Sequence, residues 1–215
     1  MRSNYAKAEF WEERYQKASE YYDWLQPYMG VGEQQGLRDW MIDNVDCESK
    51  ILIIGCGVSR MPVEMFEDGY ENLTMIDRSY WAVKFQLENN RYPQDLAYHC
   101  KDVRDMSGFK DGQFDYVIDK AVLDSVICGP NPINVSEQML TEIHRVLKPT
   151  GAYICISHGQ ESNRKKYLKN VKLYQWKYKK HIVPKVNPKG PPKLPAKPPV
   201  VDDSKTYNFI YVARK

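Results

Sequence analysis

The decapeptide ILIIGCGVSR, Ile51–Arg60, decides the fold. Four apolar residues run without a turn signal into Gly55-Cys56-Gly57, and helical spacing begins after Arg60. A short, continuously apolar run reads as a strand buried on both faces. Glycines at its end let the chain turn sharply and bring backbone close to a ligand with no Cβ in the way. Strand, glycine turn and helix in succession make the first half of a βαβ unit, which opens a crevice at the strand's carboxyl end.

Four more apolar runs read as buried strands: Leu73 to Ile76, Leu96 to Cys100, Phe114 to Ile118, and Ala152 to Ile156. Helical spacing marks Met61 to Phe66, Tyr80 to Asn90 and Ser136 to Leu147. In the last, Met139, Leu140, Ile143, Val146 and Leu147 share one stripe, and Ser136 reads as the cap. Alternating strands and helices imply a mostly parallel sheet. Near the end the alternation breaks. Lys172 to Val183 and Thr206 to Arg214 are aromatic and β-branched, and a proline-rich segment rather than a helix separates them, so they should pair antiparallel. That insert, 184–203, holds 7 of the 13 prolines between Pro184 and Pro199 and is expected to be an extended tongue with no core. Its lysines, Lys185, Lys189, Lys193 and Lys197, would meet an acidic protein surface; a solvated insertion is the plainer reading. Upstream, Tyr5 to Trp24 carries seven aromatics, in FWEERY and YYDWL, and reads as a lid over the open end of the sheet (1–24). The architecture expected is a Rossmann-like α/β domain with a seven-stranded, mostly parallel sheet.

At 215 residues the chain fits one domain, 1–215, and 42% hydrophobic with 27% charged residues is the composition of a globular protein. No apolar run approaches a membrane span, and the N-terminus is charged where a signal peptide would be apolar, so a cytoplasmic location is expected, with the nucleus open. Five scattered cysteines with no C-x-x-C pair are expected to be reduced and mostly buried, and no metal site is expected. A net charge of +3 makes no case for nucleic-acid binding. Lys and Arg gather between Arg164 and Lys197, which would make one end basic.

Asp77 stands 20 residues after Gly57, at the end of LTMID, where a carboxylate can accept both hydroxyls of a ribose. A dehydrogenase needs a third glycine to cradle a pyrophosphate, and Arg60 stands in its place. S-adenosylmethionine has no phosphate and needs only close backbone approach. After the third strand, in CKDVRDM, Asp102 could accept from the adenine amino group, with Val103 offering its amide and an apolar wall; an aspartate there is otherwise a turn former. The fourth strand ends FDYVIDK. Lys120 could reach the methionine carboxylate, or be a solvated lysine.

FWEERY with YYDW, ILIIGCG, TMID, KDVRD, VIDKAVLDS and HRVLKP together resemble the class I S-adenosylmethionine-dependent methyltransferases, in the group that includes the eukaryotic elongation factor one-alpha lysine methyltransferases. The likeness covers nearly the whole chain apart from the Pro/Lys insert. It implies S-adenosyl-L-methionine as cofactor, S-adenosyl-L-homocysteine as product, and cofactor contacts at Trp11, Tyr15, Tyr22, Gly55, Asp77, Arg78, Asp102, Val103 and Lys120. Lid aromatics would cover the sulfonium and exclude water; core packing is the plainer reading of Trp11 and Trp24. The chain departs from the pattern at two places. Ile53 and Ser59 replace an acid and a third glycine of the commonest loop, and Lys120-Ala121-Val122-Leu123-Asp124 replaces the group's frequent Lys-Gly-Thr-Leu-Asp.

The resemblance implies a protein substrate methylated on a lysine side chain. A lysine must first lose its proton, and Asp124 and His158 are the candidate catalytic groups near the crevice. The Asn/Asp-Pro-Pro-Tyr/Phe motif of adenine and glutamine methyltransferases is missing; Asn131-Pro132-Ile133 comes too late in the chain and has neither a second proline nor an aromatic. A small-molecule methyltransferase and a catalytically silent binding module built on the cofactor fold remain open.

Overall fold

The computed structural model describes residues 4–169, 174–186 and 204–215. The readings placed on Lys172, Lys189, Lys193, Lys197 and most of the proline-rich insert lie outside the described residues.

Seven strands form one sheet: β1 (Ile51–Ile54), β2 (Leu73–Asp77), β3 (Ala97–Cys100), β4 (Phe114–Lys120), β5 (Leu147–Ser157), β6 (Lys177–Pro184) and β7 (Tyr207–Arg214), in the order β3-β2-β1-β4-β5-β7-β6. The first five are parallel, and β7 pairs antiparallel with both β5 and β6. Helices α1 (Ala8–Gln16), α2 (Arg38–Asn44), α3 (Met61–Glu67), α4 (Tyr80–Asn89), α5 (Val122–Val126), α6 (Pro132–Val146) and α7 (Glu161–Leu168) surround it. Side chains alternate across a pleated strand, and the core divides accordingly. Ile51, Ile53, Met75, Ile118, Ile154 and Ile156 pack on one face, while Leu52, Ile54, Ile76, Val117, Tyr153 and Cys155 pack on the other. Strand order reverses at β1, whose neighbours are β2 and β4, and this is where an open α/β sheet leaves its crevice.

The expected strands are all present, with four differences of detail. β3 is an edge strand with only Tyr98 buried, and among the described residues nothing pairs beyond it. Ser136 is not the cap of α6. Pro132 starts that helix a turn earlier, behind Asn131, and Ser136 is buried inside it with Oγ donating to the Ile133 carbonyl at 2.9 Å. The cysteines are all free, but Cys47 and Cys100 are exposed and Cys128 is half-buried, leaving only Cys56 and Cys155 in the core. Arg164, counted with the basic end, is instead buried, 5% exposed.

The aromatic segment does dock on the open end of the sheet. Glu12 of α1 accepts from the Tyr80 backbone N–H and the Ser79 hydroxyl, both at 3.0 Å, which places an acid at the amino end of α4. Among the described residues no helix is long and apolar enough to cross a membrane, and no cluster of side chains could hold a metal ion.

Candidate cofactor cavity

The glycine turn after β1 is fixed by its neighbours. Gly55 and Gly57 sit at φ +58° and +51°, in the left-handed region. A Cβ on Gly55 would lie 2.2 Å from Val122 Cγ2, and one on Gly57 would lie 2.7 Å from the Tyr15 hydroxyl. Both α5 and the lid helix α1 therefore rest directly on this turn. From β2, Asp77 accepts the Gly57 backbone N–H on Oδ2 at 2.8 Å and the Ser79 backbone N–H on Oδ1 at 2.9 Å. From α4, the buried Gln86 amide donates to the Gly57 and Ser59 carbonyls at 2.9 and 2.8 Å. Burial pushes the Asp77 carboxyl up to about 6, which the two backbone bonds only partly offset.

Over this turn lies a mostly apolar cavity of ≈ 580 Å³, within the size range of cofactor sites. Trp11, Tyr15, Gly55, Asp77 and Arg78 line one side of it; Asp102, Val103 and Lys120 line the adjoining wall, and Asp124 and His158 line a further part. Tyr22, the remaining cofactor position implied by the resemblance, does not. Its ring packs edge-on against Trp24 at 5.2 Å, with the Arg14 guanidinium 5.4 Å away, and is 49% exposed, so it braces the lid from outside.

Lys120 also differs from its reading. Its side chain is 7% exposed, not solvated. The ammonium is held in an ion pair with Asp23 and donates to the Gln26 carbonyl at 3.1 Å and Ser59 Oγ at 3.2 Å. It fastens the lid to the carboxyl end of β4 while lining the cavity. Asp102 is likewise engaged, accepting from Arg104 at N (2.9 Å), Nε (2.9 Å) and Nη2 (2.6 Å). Burial would raise its pKa, but these bonds outweigh burial and hold the carboxyl below the ordinary range.

The residues fit S-adenosylmethionine. Each Asp77 oxygen accepts one backbone N–H and keeps capacity for a ribose hydroxyl. Among the described residues the Val103 amide has no hydrogen-bond partner, leaving it for an adenine ring nitrogen. Tyr5, Trp11 and Trp24 line the cavity as a mutually packed trio, with centroids 5.6–6.0 Å apart, an aromatic lining of the kind that attracts a cation such as a sulfonium.

Three site features were missed in the sequence. Tyr5, read from the sequence only as one of the lid aromatics and given no cofactor contact, joins the aromatic trio. Leu25 lines the cavity at φ 64°, its carbonyl accepting from Asn208 at 3.1 Å. Ala121, in the place where the related pattern carries glycine, has φ 74°. The left-handed φ explains the glycine preference, and a methyl group is held there at a cost. Next to it, buried Asp119 accepts the Val122 and Leu123 amides and the Tyr153 hydroxyl, fixing the start of α5; burial pushes its carboxyl up to about 7.

Fold and crevice together are those of a protein that holds a nucleoside at the carboxyl end of a parallel sheet. The family described as "Methyltransferase domain" matches residues 52–155. The chain is 30% identical over 181 residues to mouse "EEF1A lysine methyltransferase 4", covering 80% of this chain and 68% of that protein. It is 28% identical over 184 residues to mouse "eEF1A lysine and N-terminal methyltransferase", covering 83% of this chain and 25% of that longer protein. A solved S-adenosylmethionine-dependent methyltransferase from Methanosarcina mazei shares the fold with a TM-score of 0.59 and 19% identity, over 82% of this chain and 96% of that one. The chain belongs to the S-adenosylmethionine-dependent methyltransferase family that includes these relatives.

Two outcomes are expected. Ala121→Gly relieves a left-handed φ that costs about 1–2 kcal/mol and adds unfolded-state entropy worth about 0.5–1, so thermal denaturation should show a neutral to modestly more stable protein; a clear loss of stability would contradict the strain. A ribose held by Asp77 would donate to the ionised carboxylate, and below about pH 6 that carboxyl is neutral. Cofactor affinity measured by calorimetry should therefore rise about tenfold from pH 5 to pH 7, and Asp77→Asn should bind more weakly with a flatter profile. A pH-independent wild-type affinity would remove Asp77 from the ribose site.

Proposed function

We propose that the chain transfers a methyl group from S-adenosylmethionine to a lysine side chain of a protein substrate of the elongation factor one-alpha kind. The observation that carries this reading is the lining of the cavity away from Asp77. Val122, Val126 and Pro130 with the rings of Tyr5 and Trp24 make an apolar wall, and Asp124 on that wall is a buried, ionised carboxylate. Burial would raise its pKa, but hydrogen bonds and charge from His158 and Arg164 outweigh burial and hold it at about 2. An aliphatic stem with an amine tip, meeting the apolar wall and then the exposed imidazole held by Asp124, matches such a lining. The names of the mouse relatives support the same acceptor.

S-adenosylmethionine, when bound, supplies a methyl carbon activated by its sulfonium. The protein aligns and excludes water. Asp77, the glycine turn and the Val103 amide would hold the nucleoside, and the lid rings would cover the reacting centre. Asp23 and Gln26, bonded to Lys120, keep the lid closed over the strand ends. In-line displacement then depends on how well the acceptor nitrogen is oriented.

Incubation with tritiated cofactor and purified elongation factor one-alpha, followed by mass spectrometry, should place the label on a lysine, and Asp77→Ala should reduce labelling at subsaturating cofactor. Label confined to the low-molecular-mass fraction of a cell extract, with none on protein, would contradict the reading in favour of a small-molecule acceptor.

A further inference from the structure

Asp124 and His158 form a hydrogen-bonded pair on the cavity wall, and we propose that His158 is the general base that takes the proton from the acceptor amine, with Asp124 as its positioning residue. The inference rests on the lysine-acceptor reading above.

Asp124 comes from α5 and His158 from the first turn beyond β5. Oδ2 of Asp124 accepts both the His158 backbone N–H at 3.0 Å and the imidazole Nδ1 at 2.6 Å. Oδ1 accepts the Ser157 hydroxyl at 2.5 Å and the Arg164 guanidinium at 2.7 Å from Nη2 and 3.1 Å from Nε. The arginine is itself walled in. Its Nε also donates to Ser157 Oγ at 2.9 Å, and a Cβ on Gly159 would fall 2.1 Å from its Cζ, so only glycine leaves it room. The Tyr211 hydroxyl in turn donates to the Gly159 carbonyl at 2.8 Å. Two segments, the end of β5 with the turn after it and α7, thus hold one carboxylate, and β7 braces the turn between them.

An ionised carboxylate can only accept. In the neutral imidazole the proton is therefore placed on Nδ1, and Nε2 keeps its lone pair. The two partners differ in exposure: Asp124 is 6% exposed, the His158 side chain 55% exposed, and both line the cavity. Arg164 alone would satisfy a buried structural aspartate. It gives no reason for the same carboxylate to orient a solvent-accessible imidazole at the edge of the acceptor wall.

An alkylammonium has no lone pair and cannot attack carbon. Its N–H bond breaks with the electron pair left on nitrogen, and the proton goes to Nε2, giving an imidazolium facing ionised Asp124. The freed pair forms the new N–C bond as the methyl's C–S bond breaks with its electrons kept by sulfur, which yields the methylated amine and S-adenosylhomocysteine. The imidazolium proton then passes to water, and the cycle returns to its start.

The test compares wild type, His158→Gln and His158→Ala with tritiated cofactor and eukaryotic lysate protein, alongside calorimetric cofactor titration and ¹⁵N NMR of the histidine rings. Cofactor affinity should be unchanged in both variants, kcat should fall about a hundredfold with KM within about twofold, and added imidazole should partly rescue His158→Ala. The wild-type neutral ring should show Nδ1 protonated, and Asp124→Asn, if it folds, should lose that preference. Equal turnover by wild type and His158→Gln, or a wild-type ring protonated on Nε2, would overturn the proposal. Label on an acceptor other than lysine would contradict the acceptor reading instead, with the kcat comparison on that acceptor still deciding for or against His158. A wild type that binds cofactor and labels nothing would overturn both.

Discussion

The site depends on the carboxylate of Asp77 being buried where the chain turns from β1 into α3. Its two oxygens take the Gly57 and Ser79 backbone N–H groups, so one side chain joins the glycine turn to the start of α4. Leaving those donors unpaired in a buried place would cost about 1–3 kcal/mol each. Burial also raises the carboxyl's pKa, so the group that stitches the turn is the one whose charge a ribose would reward. Gln86 and the lid tyrosine Tyr15 close the same turn from two other directions.

A second layer of constraint couples the lid to the sheet. Buried Gln26 donates to the Gln35 and Pro184 carbonyls at 3.1 and 3.0 Å, while its own carbonyl accepts from Lys120. The segment that carries Asp23, Trp24 and Leu25 is therefore pinned at the end of β6 and the end of β4 together. Left-handed φ values at Leu25 and Ala121 occur on the cavity rim, where such bracing holds strained backbone in place. The aromatic trio stands on this frame.

The sheet and the glycine turn with Asp77 under the cavity were legible because their signals are local. An apolar run ending in Gly-x-Gly, and an aspartate closing the next strand, say where backbone must turn and where a carboxylate must point. The resemblance then carried the remaining cofactor positions, and all but Tyr22 line the cavity. What failed was information held between distant residues. Lys120 finds Asp23 from 97 positions away, and no local pattern distinguishes that from a free ammonium. Asp124 collects its partners from Ser157, His158 and Arg164, which lie on three successive parts of the chain. The exposure of Cys100 and the edge character of β3 follow from strand order, which periodicity does not encode.

The most direct measurement is a crystal structure of the protein with S-adenosylhomocysteine. The account predicts the ribose hydroxyls on the two Asp77 oxygens with the Gly57 and Ser79 bonds retained, the adenine against Val103 and Asp102, and the sulfur beneath the Trp11 and Trp24 rings. A nucleoside bound away from Asp77, or density for the ligand outside this cavity, would contradict it.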